Sequence, residues 1–156
     1  MRVLPLTLII ALPLALAGCQ KAPEAPAKLG IDTATVRLPA VEGRPAAGYF
    51  TLNGGERPER LVSISSPKAA TIELHESRME NGIMSMRALT GVDVPEKGSV
   101  AFSPGGNHAM VYGIDPAVKP GDTLPLRFTF QSGEAIDVTA SAIGPADDIP
   151  AEHGKH

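Results

Sequence analysis

Histidine and methionine cluster in one short stretch of the sequence. The four methionines that follow Met1 all lie between residues 75 and 110, and two of the four histidines lie there with them. Methionine can fill gaps anywhere in a core, so this crowding indicates a shared role. Thioether sulfur is a soft ligand that suits Cu(I) better than Zn²⁺, Mg²⁺ or Ca²⁺, and imidazole also suits copper. The residues are His75, Met79, Met84, Met86, His108 and Met110.

The spacing within this stretch fits β-strands. His108 and Met110 are two residues apart, as are Met84 and Met86, and residues two apart on a strand point to one face. Two separate segments could therefore converge on one metal ion where strands meet. Each residue also has an ordinary interpretation, since His75 and His108 could be solvated histidines and Met86 could pack in the core.

Cysteine usage narrows the chemistry. Cys19 is the single cysteine, and it lies close to the N-terminus. The rest of the chain therefore has no thiol for a disulfide, a Cys-x-x-Cys redox site or a blue-copper centre. Thioethers have no proton to lose and cannot form disulfides, so methionine and histidine suit a Cu(I) carrier in an oxidising compartment.

The N-terminus has the layout of a secretory signal. Arg2 precedes an apolar run that ends in Leu16-Ala17-Gly18-Cys19, which resembles a bacterial lipobox. We expect residues 1–18 to be a signal peptide and Cys19 to be lipidated, holding the protein at the periplasmic side of the cell envelope. Gln20 after the cysteine favours the outer membrane if the cell is Gram-negative. The alternative is an uncleaved anchor helix.

The remaining chain divides into three parts by composition. Residues 19–30 alternate Pro and Ala and should form a tether, residues 31–143 a folded domain, and residues 144–156 a flexible tail. His153 and His156 in that tail could bind Cu(II) weakly. With 14 basic and 17 acidic residues and no basic run, the chain carries no signature of nucleic-acid binding. It also lacks the hydrolase motifs Gly-x-Ser-x-Gly and His-Glu-x-x-His, so we expect no enzyme.

Short alternating segments separated by turn signals predict the fold class. Leu124, Leu126, Phe128 and Phe130 alternate with polar residues, and a similar pattern includes Val62 and Ile64. Pairs such as Asn81-Gly82 and Ser132-Gly133 punctuate these runs. The pattern predicts an antiparallel β-sandwich or a small barrel.

The histidine and methionine stretch resembles the PCuAC family of copper chaperones. The family signature is a histidine, ten residues, a methionine, about twenty-one residues and then His-x-Met. His75, Met86, His108 and Met110 match it with ten and twenty-one intervening residues. The likeness extends from Ile31 to Ala142. It implies a cupredoxin-like Greek-key β-sandwich or barrel in which these four residues bind Cu(I).

The resemblance also implies a role. Copper would pass to the binuclear copper site of cytochrome c oxidase, together with a Sco-type thiol protein, and we expect the carrier to be a monomer. Met79 and Met84 lie outside the signature, and we expect them to pack in the core or at its rim, although Met84 could also be a spare thioether beside the site. A copper-buffering or structural envelope lipoprotein without delivery is the alternative function.

Overall fold

The computed structural model describes residues 27–150, which form ten β-strands. Their bounds are β1 Gly30–Arg37, β2 Ala46–Asn53, β3 Glu59–Ser65, β4 Thr71–Glu80, β5 Ile83–Leu89, β6 Val92–Val94, β7 Ser99–Phe102, β8 Asn107–Tyr112, β9 Thr123–Phe130 and β10 Ala135–Ile143. The predicted all-β class is confirmed. Within this range no helix has the length and apolarity needed to cross a membrane.

The strands form one continuous sheet that curls back on itself. Their order is β5-β4-β8-β7-β2-β1-β10-β9-β3-β6, and β8 also pairs with β2. Most pairs are antiparallel, but β1 runs parallel to β10. Phe50 on β2 and Phe128 on β9 are distant in this order, yet their rings meet edge to face at 4.8 Å. The sheet therefore closes around one core.

Strand β9 shows how the sequence builds this core. Its inward side chains, Leu124, Leu126, Phe128 and Phe130, are all buried, while Thr123, Pro125 and Arg127 are exposed. Successive residues of a strand point to opposite faces, so a period of two produces this division. The predicted inward face of β9 is confirmed.

Strand β3 departs from the predicted alternation. Leu61 and Ile64 are buried whereas Val62 is exposed, although Val62 was predicted to share a face with Ile64. The pairing of β3 with β9 shifts register between Leu61 and Ser63. A β-bulge inserts one residue into a strand and reverses which residues face inward, so the prediction for Val62 was wrong.

A two-residue turn joins β4 to β5. Asn81 and Gly82 have φ angles of 51° and 79°, as the type I′ turn of a tight hairpin requires. Asparagine and glycine tolerate these positive angles better than other residues. The turn fixes the register of the hairpin, with Met79 opposite Met84 and Ser77 opposite Met86.

Candidate metal site

The predicted ligands lie on three neighbouring strands and on one face of them. His75 is on the central strand β4, Met86 is on β5, and His108 and Met110 are on β8. Leu74 and Ala109 are buried in the hydrophobic core. The alternating residues His75, His108 and Met110 must therefore lie on the opposite, outer face of the sheet.

Strand register brings the side chains together. His75 pairs directly with His108, and Ser77, two residues further along β4, pairs with Met86. Met86 on β5 and His108 on β8 lie on opposite sides of β4. Neighbouring strands are about 4.8 Å apart, so the two side chains can meet over β4. Met86 Sδ lies 3.2 Å from His108 Nε2. The small side chain of Ser77 leaves room for this contact across β4.

The backbone fixes the His108 ring. Nδ1 lies 3.0 Å from the carbonyl oxygen of Gly106, which only accepts hydrogen bonds, so Nδ1 carries the proton and donates it. The same carbonyl accepts the N–H of Ser77 at 3.0 Å, tying β4 to the turn before β8. In the neutral ring the lone pair is then at Nε2, facing the lone pairs of Met86 Sδ. A soft cation between these two atoms would bind both.

A carboxylate fixes the His75 ring. Nε2 lies 3.0 Å from Glu73 Oε2 and donates to it when the carboxylate is ionised. The lone pair of the neutral ring is then at Nδ1, which is buried and has no hydrogen-bond partner among the described residues. Metal-binding histidines commonly donate their second ring nitrogen to a carboxylate in this way. Glu73 was not among the residues predicted for the site, although its position two residues before His75 on one strand face was a usable signal.

The two imidazoles are close enough to share one ion. Their ring centroids are 5.8 Å apart and the planes are tilted by 32°. With metal–nitrogen bonds of about 2 Å, two rings on one tetrahedral metal have centroids roughly 5 Å apart. The observed separation of the two rings is therefore close to the separation that such a metal requires. Met110 follows His108 on the same face, opposite Glu73, and is partly buried. Among residues 27–150, no three His, Cys, Asp or Glu side chains cluster, and Met86 and Met110 are the thioethers on this face.

The remaining methionines are on the surface. Met79 is 63% exposed and Met84 is 55% exposed, so the expectation of core packing is wrong for both. Met86 is 56% exposed, which excludes core packing for it too. These three side chains share the outer face of the hairpin with His75, because the turn at Asn81-Gly82 sets their register.

The other face of the hairpin carries charges. Glu76 accepts hydrogen bonds from Arg78 Nη2 at 2.9 Å and from Arg87 Nη2 at 2.8 Å. These bonds, with Arg78 first, lower the pKa of the Glu76 carboxyl. The two guanidinium groups are therefore held on the side away from the thioethers.

Several predicted features lie outside the described residues. They are the signal peptide at residues 1–18, the lipidation site Cys19, and the two histidines of the tail, His153 and His156. These features, and the domain boundaries of which they form part, stay predictions.

Solved structures with this architecture define the class of domain. The copper-bound PCuAC domain from PmoF2 matches with a TM-score of 0.62 and 19% identity, covering 76% of this chain and 97% of that domain. The solution structure of CuI-DR1885 from Deinococcus radiodurans matches with a TM-score of 0.64 and 25% identity, covering 80% and 85%. The chain folds as a cupredoxin-like PCuAC domain, which confirms the resemblance seen in the sequence.

The family follows from the sequence itself. Residues 29–142 match the family described as "Putative lipoprotein LpqE-like", and the chain belongs to it. "Putative lipoprotein Lxx21020" of Leifsonia xyli subsp. xyli is 27% identical over 145 residues, 88% of this chain and 87% of the relative. "Uncharacterized protein RP573" of Rickettsia prowazekii is 36% identical over 111 residues, 67% and 60% of the two chains.

Proposed function

We propose that this protein binds one Cu(I) ion through His75, Met86, His108 and Met110 and delivers it to another protein. One observation carries the proposal: the rings of His75 and His108 are each fixed with one nitrogen lone pair left over. The lone pair of His108 faces the sulfur of Met86 at 3.2 Å. This arrangement brings an imidazole nitrogen and a thioether sulfur together with their lone pairs unused, and a soft cation would bind both.

The donor set favours Cu(I) over other metals. Two thioethers and two imidazoles are soft to intermediate ligands, and hard cations such as Mg²⁺ and Ca²⁺ prefer oxygen. Structural zinc sites use thiolates, imidazoles and carboxylates rather than thioethers. The copper-bound state of the PmoF2 domain and the CuI state of DR1885 support the same choice.

The position of the site favours transfer. The ligands lie on the outer face of a sheet, where His108 is only 8% exposed but Met86 is 56% exposed, so an acceptor would reach the ion from the Met86 side. Neutral thioethers hold Cu(I) less tightly than thiolates, which favours passage to a cysteine-bearing protein. The acceptor is a Sco-type copper protein or the copper subunit of cytochrome c oxidase, as the PCuAC resemblance implies. Copper remains cargo throughout, and the protein performs no catalysis.

The cell envelope is the proposed location. Membership of a lipoprotein family supports lipidation at Cys19, with the domain on the periplasmic side. Replacing residues 1–19 with a cleavable secretory signal that has no cysteine should release the protein from the membrane fraction and leave Cu(I) binding intact, because the replaced residues precede the folded strands. The alternative of an uncleaved anchor helix is tested on the unchanged chain, whose mature N-terminus should be Cys19; a mature protein that still begins at residue 1 would favour the helix.

A Cu(I) titration against a competing chelator tests the binding. The full chain carrying Cys19→Ser, which removes its one thiol, should take up one tight equivalent. Met86→Leu should lose this equivalent, and Ile83→Ala, on the same hairpin but the opposite face, should keep it. A wild-type chain that never outcompetes the chelator would leave a structural envelope lipoprotein as the function.

A transfer assay tests the delivery. The Cu(I)-loaded chain is mixed with an apo Sco-type protein, the two are separated, and copper is measured in each. Copper should move to the acceptor. If it stays on the donor, and a strain lacking the protein assembles its oxidase normally in low copper, the function is buffering.

A further inference from the structure

Met79 and Met84 are not needed by the four-ligand site, yet they have a specific arrangement. They face each other directly across the β4–β5 hairpin. Side chains at such paired positions start about 5 Å apart at their Cβ atoms. Methionine is long and flexible, so both sulfurs can reach a single ion between them.

The pair continues a line of sulfur atoms toward His108. Met84 and Met86 are two residues apart on β5, which places them on one face and about 7 Å apart along the strand. Met86 in turn contacts His108 Nε2. Thioethers therefore run from the tip of the hairpin at Asn81-Gly82 to the candidate site.

The exposure of these side chains needs an explanation. Met79, Met84 and Met86 are each more than half exposed, so they gain little from burial, and contiguous exposed apolar side chains usually mark a functional surface. Three charged side chains of this hairpin, Glu76, Arg78 and Arg87, pair on the opposite face. The guanidinium charges are thus directed away from the face that a cation would approach.

We propose that Met79 and Met84 form a second, weaker Cu(I) site that loads and unloads the four-ligand site. Two neutral thioethers are soft donors that suit Cu(I). Because this pair lacks the two imidazoles of the four-ligand site, it binds the ion more weakly. Cu(I) moves toward Met86 by ligand exchange, in which one Cu–S bond forms as another breaks, and neither a proton nor an electron is transferred. This inference rests on the proposed copper function.

Replacing methionine with leucine separates sulfur chemistry from apolar docking. Leucine has similar size and hydrophobicity but no sulfur. A surface that only docks an apolar partner would survive Met79→Leu with Met84→Leu, whereas a Cu(I) site would not. Ile83→Ala is the matched control, because Ile83 is 71% exposed on the same hairpin and points to the other face.

The experiment follows Cu(I) with labelled methionine methyl groups. The full chain with Cys19→Ser, in detergent and without oxygen, is titrated with Cu(I) while NMR records each ¹³C-labelled methyl group. The first equivalent should shift the signals of Met86 and Met110, and a second, weaker equivalent should shift those of Met79 and Met84. In the double leucine variant the first equivalent should bind unchanged, the second should be lost, and release of Cu(I) to an excess of chelator should be slower.

Two results would each have a clear meaning. A double leucine variant that still binds the second equivalent and releases copper at the wild-type rate would overturn the inference. A wild-type chain without a tight first equivalent would instead remove the proposed function itself. Ile83→Ala should match the wild type in every measurement.

Discussion

Strands β9 and β5 both alternate large apolar side chains with other residues, but these side chains are buried on β9 and exposed on β5. On β9 the four inward side chains, from Leu124 to Phe130, are at most 4% exposed. On β5 the alternating pair Met84 and Met86 is more than half exposed, although β5 belongs to the same sheet. The same sequence pattern therefore builds the core on one strand and an exposed thioether surface on the other.

The two strands differ in what their alternating apolar side chains pack against. The inward face of β9 packs against Phe50 of β2 and the rest of the closed core. Strand β5 lies at the edge of the strand order, beside β4, and its thioethers lie on the outer face. Substitutions on β9 should thus change stability and leave copper binding intact, and substitutions on β5 should do the reverse.

The largest effect is expected at the centre of the core. Phe128 is fully buried and packs edge to face on Phe50, which stacks on Phe102 at 4.1 Å. Phe128→Ala should lower the free energy of unfolding by about 3–5 kcal/mol, because it removes the ring and leaves a cavity. Chemical denaturation measures the loss. If the folded variant also loses Cu(I) affinity, the separation between the two regions fails.

The reverse effect is expected at Met86. Met86→Leu keeps size and hydrophobicity at a mostly exposed position, so the unfolding midpoint should hardly move. The Cu(I) affinity should fall by on the order of a hundredfold or more, since removing even an outer-shell partner costs about 10–100-fold. Chelator competition measures the affinity, with Ile83→Ala as control. Wild-type affinity in the leucine variant would exclude Met86 as a ligand.

A smaller effect is expected at Glu73. Glu73→Ala removes the acceptor that holds the Nε2–H of His75, so the ring is free to turn or to change tautomer. Affinity for Cu(I) should fall by about 10–100-fold, whereas Glu73→Gln, whose side-chain oxygen can still accept, should recover most of it. Equal affinities for the alanine variant and the wild type would show that Glu73 does not position His75.

The smallest effect is expected on the outer face of β9. Arg127 donates two hydrogen bonds of 2.7 Å to Asp137 on β10, and this contact lowers the pKa of the Asp137 carboxyl. A carboxyl with a lowered pKa stabilises the fold above its unfolded pKa, and this contribution is lost as pH falls through its folded value. Asp137→Asn should therefore lower the unfolding temperature slightly at pH 7, and the difference from wild type should vanish well below pH 4. Because the pair is exposed, a large difference at pH 7 would contradict this account.

The sequence predicted the parts of this structure that depend on local patterns. The alternation in β9 and the Asn81-Gly82 turn both act over a few residues, so they can be identified without knowing the fold. The wrong face for Val62 has a non-local cause, because the bulge in β3 is visible only against its partner β9.

The site was predictable as a set of residue types and not as a geometry. The spacing of His75, Met86, His108 and Met110 identified the candidates, but only strand pairing shows that Met86 reaches His108 across Ser77. The expectation of core packing for Met79 and Met84 failed because hydrophobicity alone does not distinguish a buried strand face from an exposed one.

X-ray absorption spectroscopy of the Cu(I)-loaded chain tests the central claim most directly. With Cys19→Ser removing the one thiol, every sulfur bound to copper must come from methionine. The spectrum at one equivalent of Cu(I) should show two sulfur and two nitrogen scatterers, and Met86→Leu should lower the sulfur contribution. A wild-type spectrum without sulfur scatterers would contradict the proposed site.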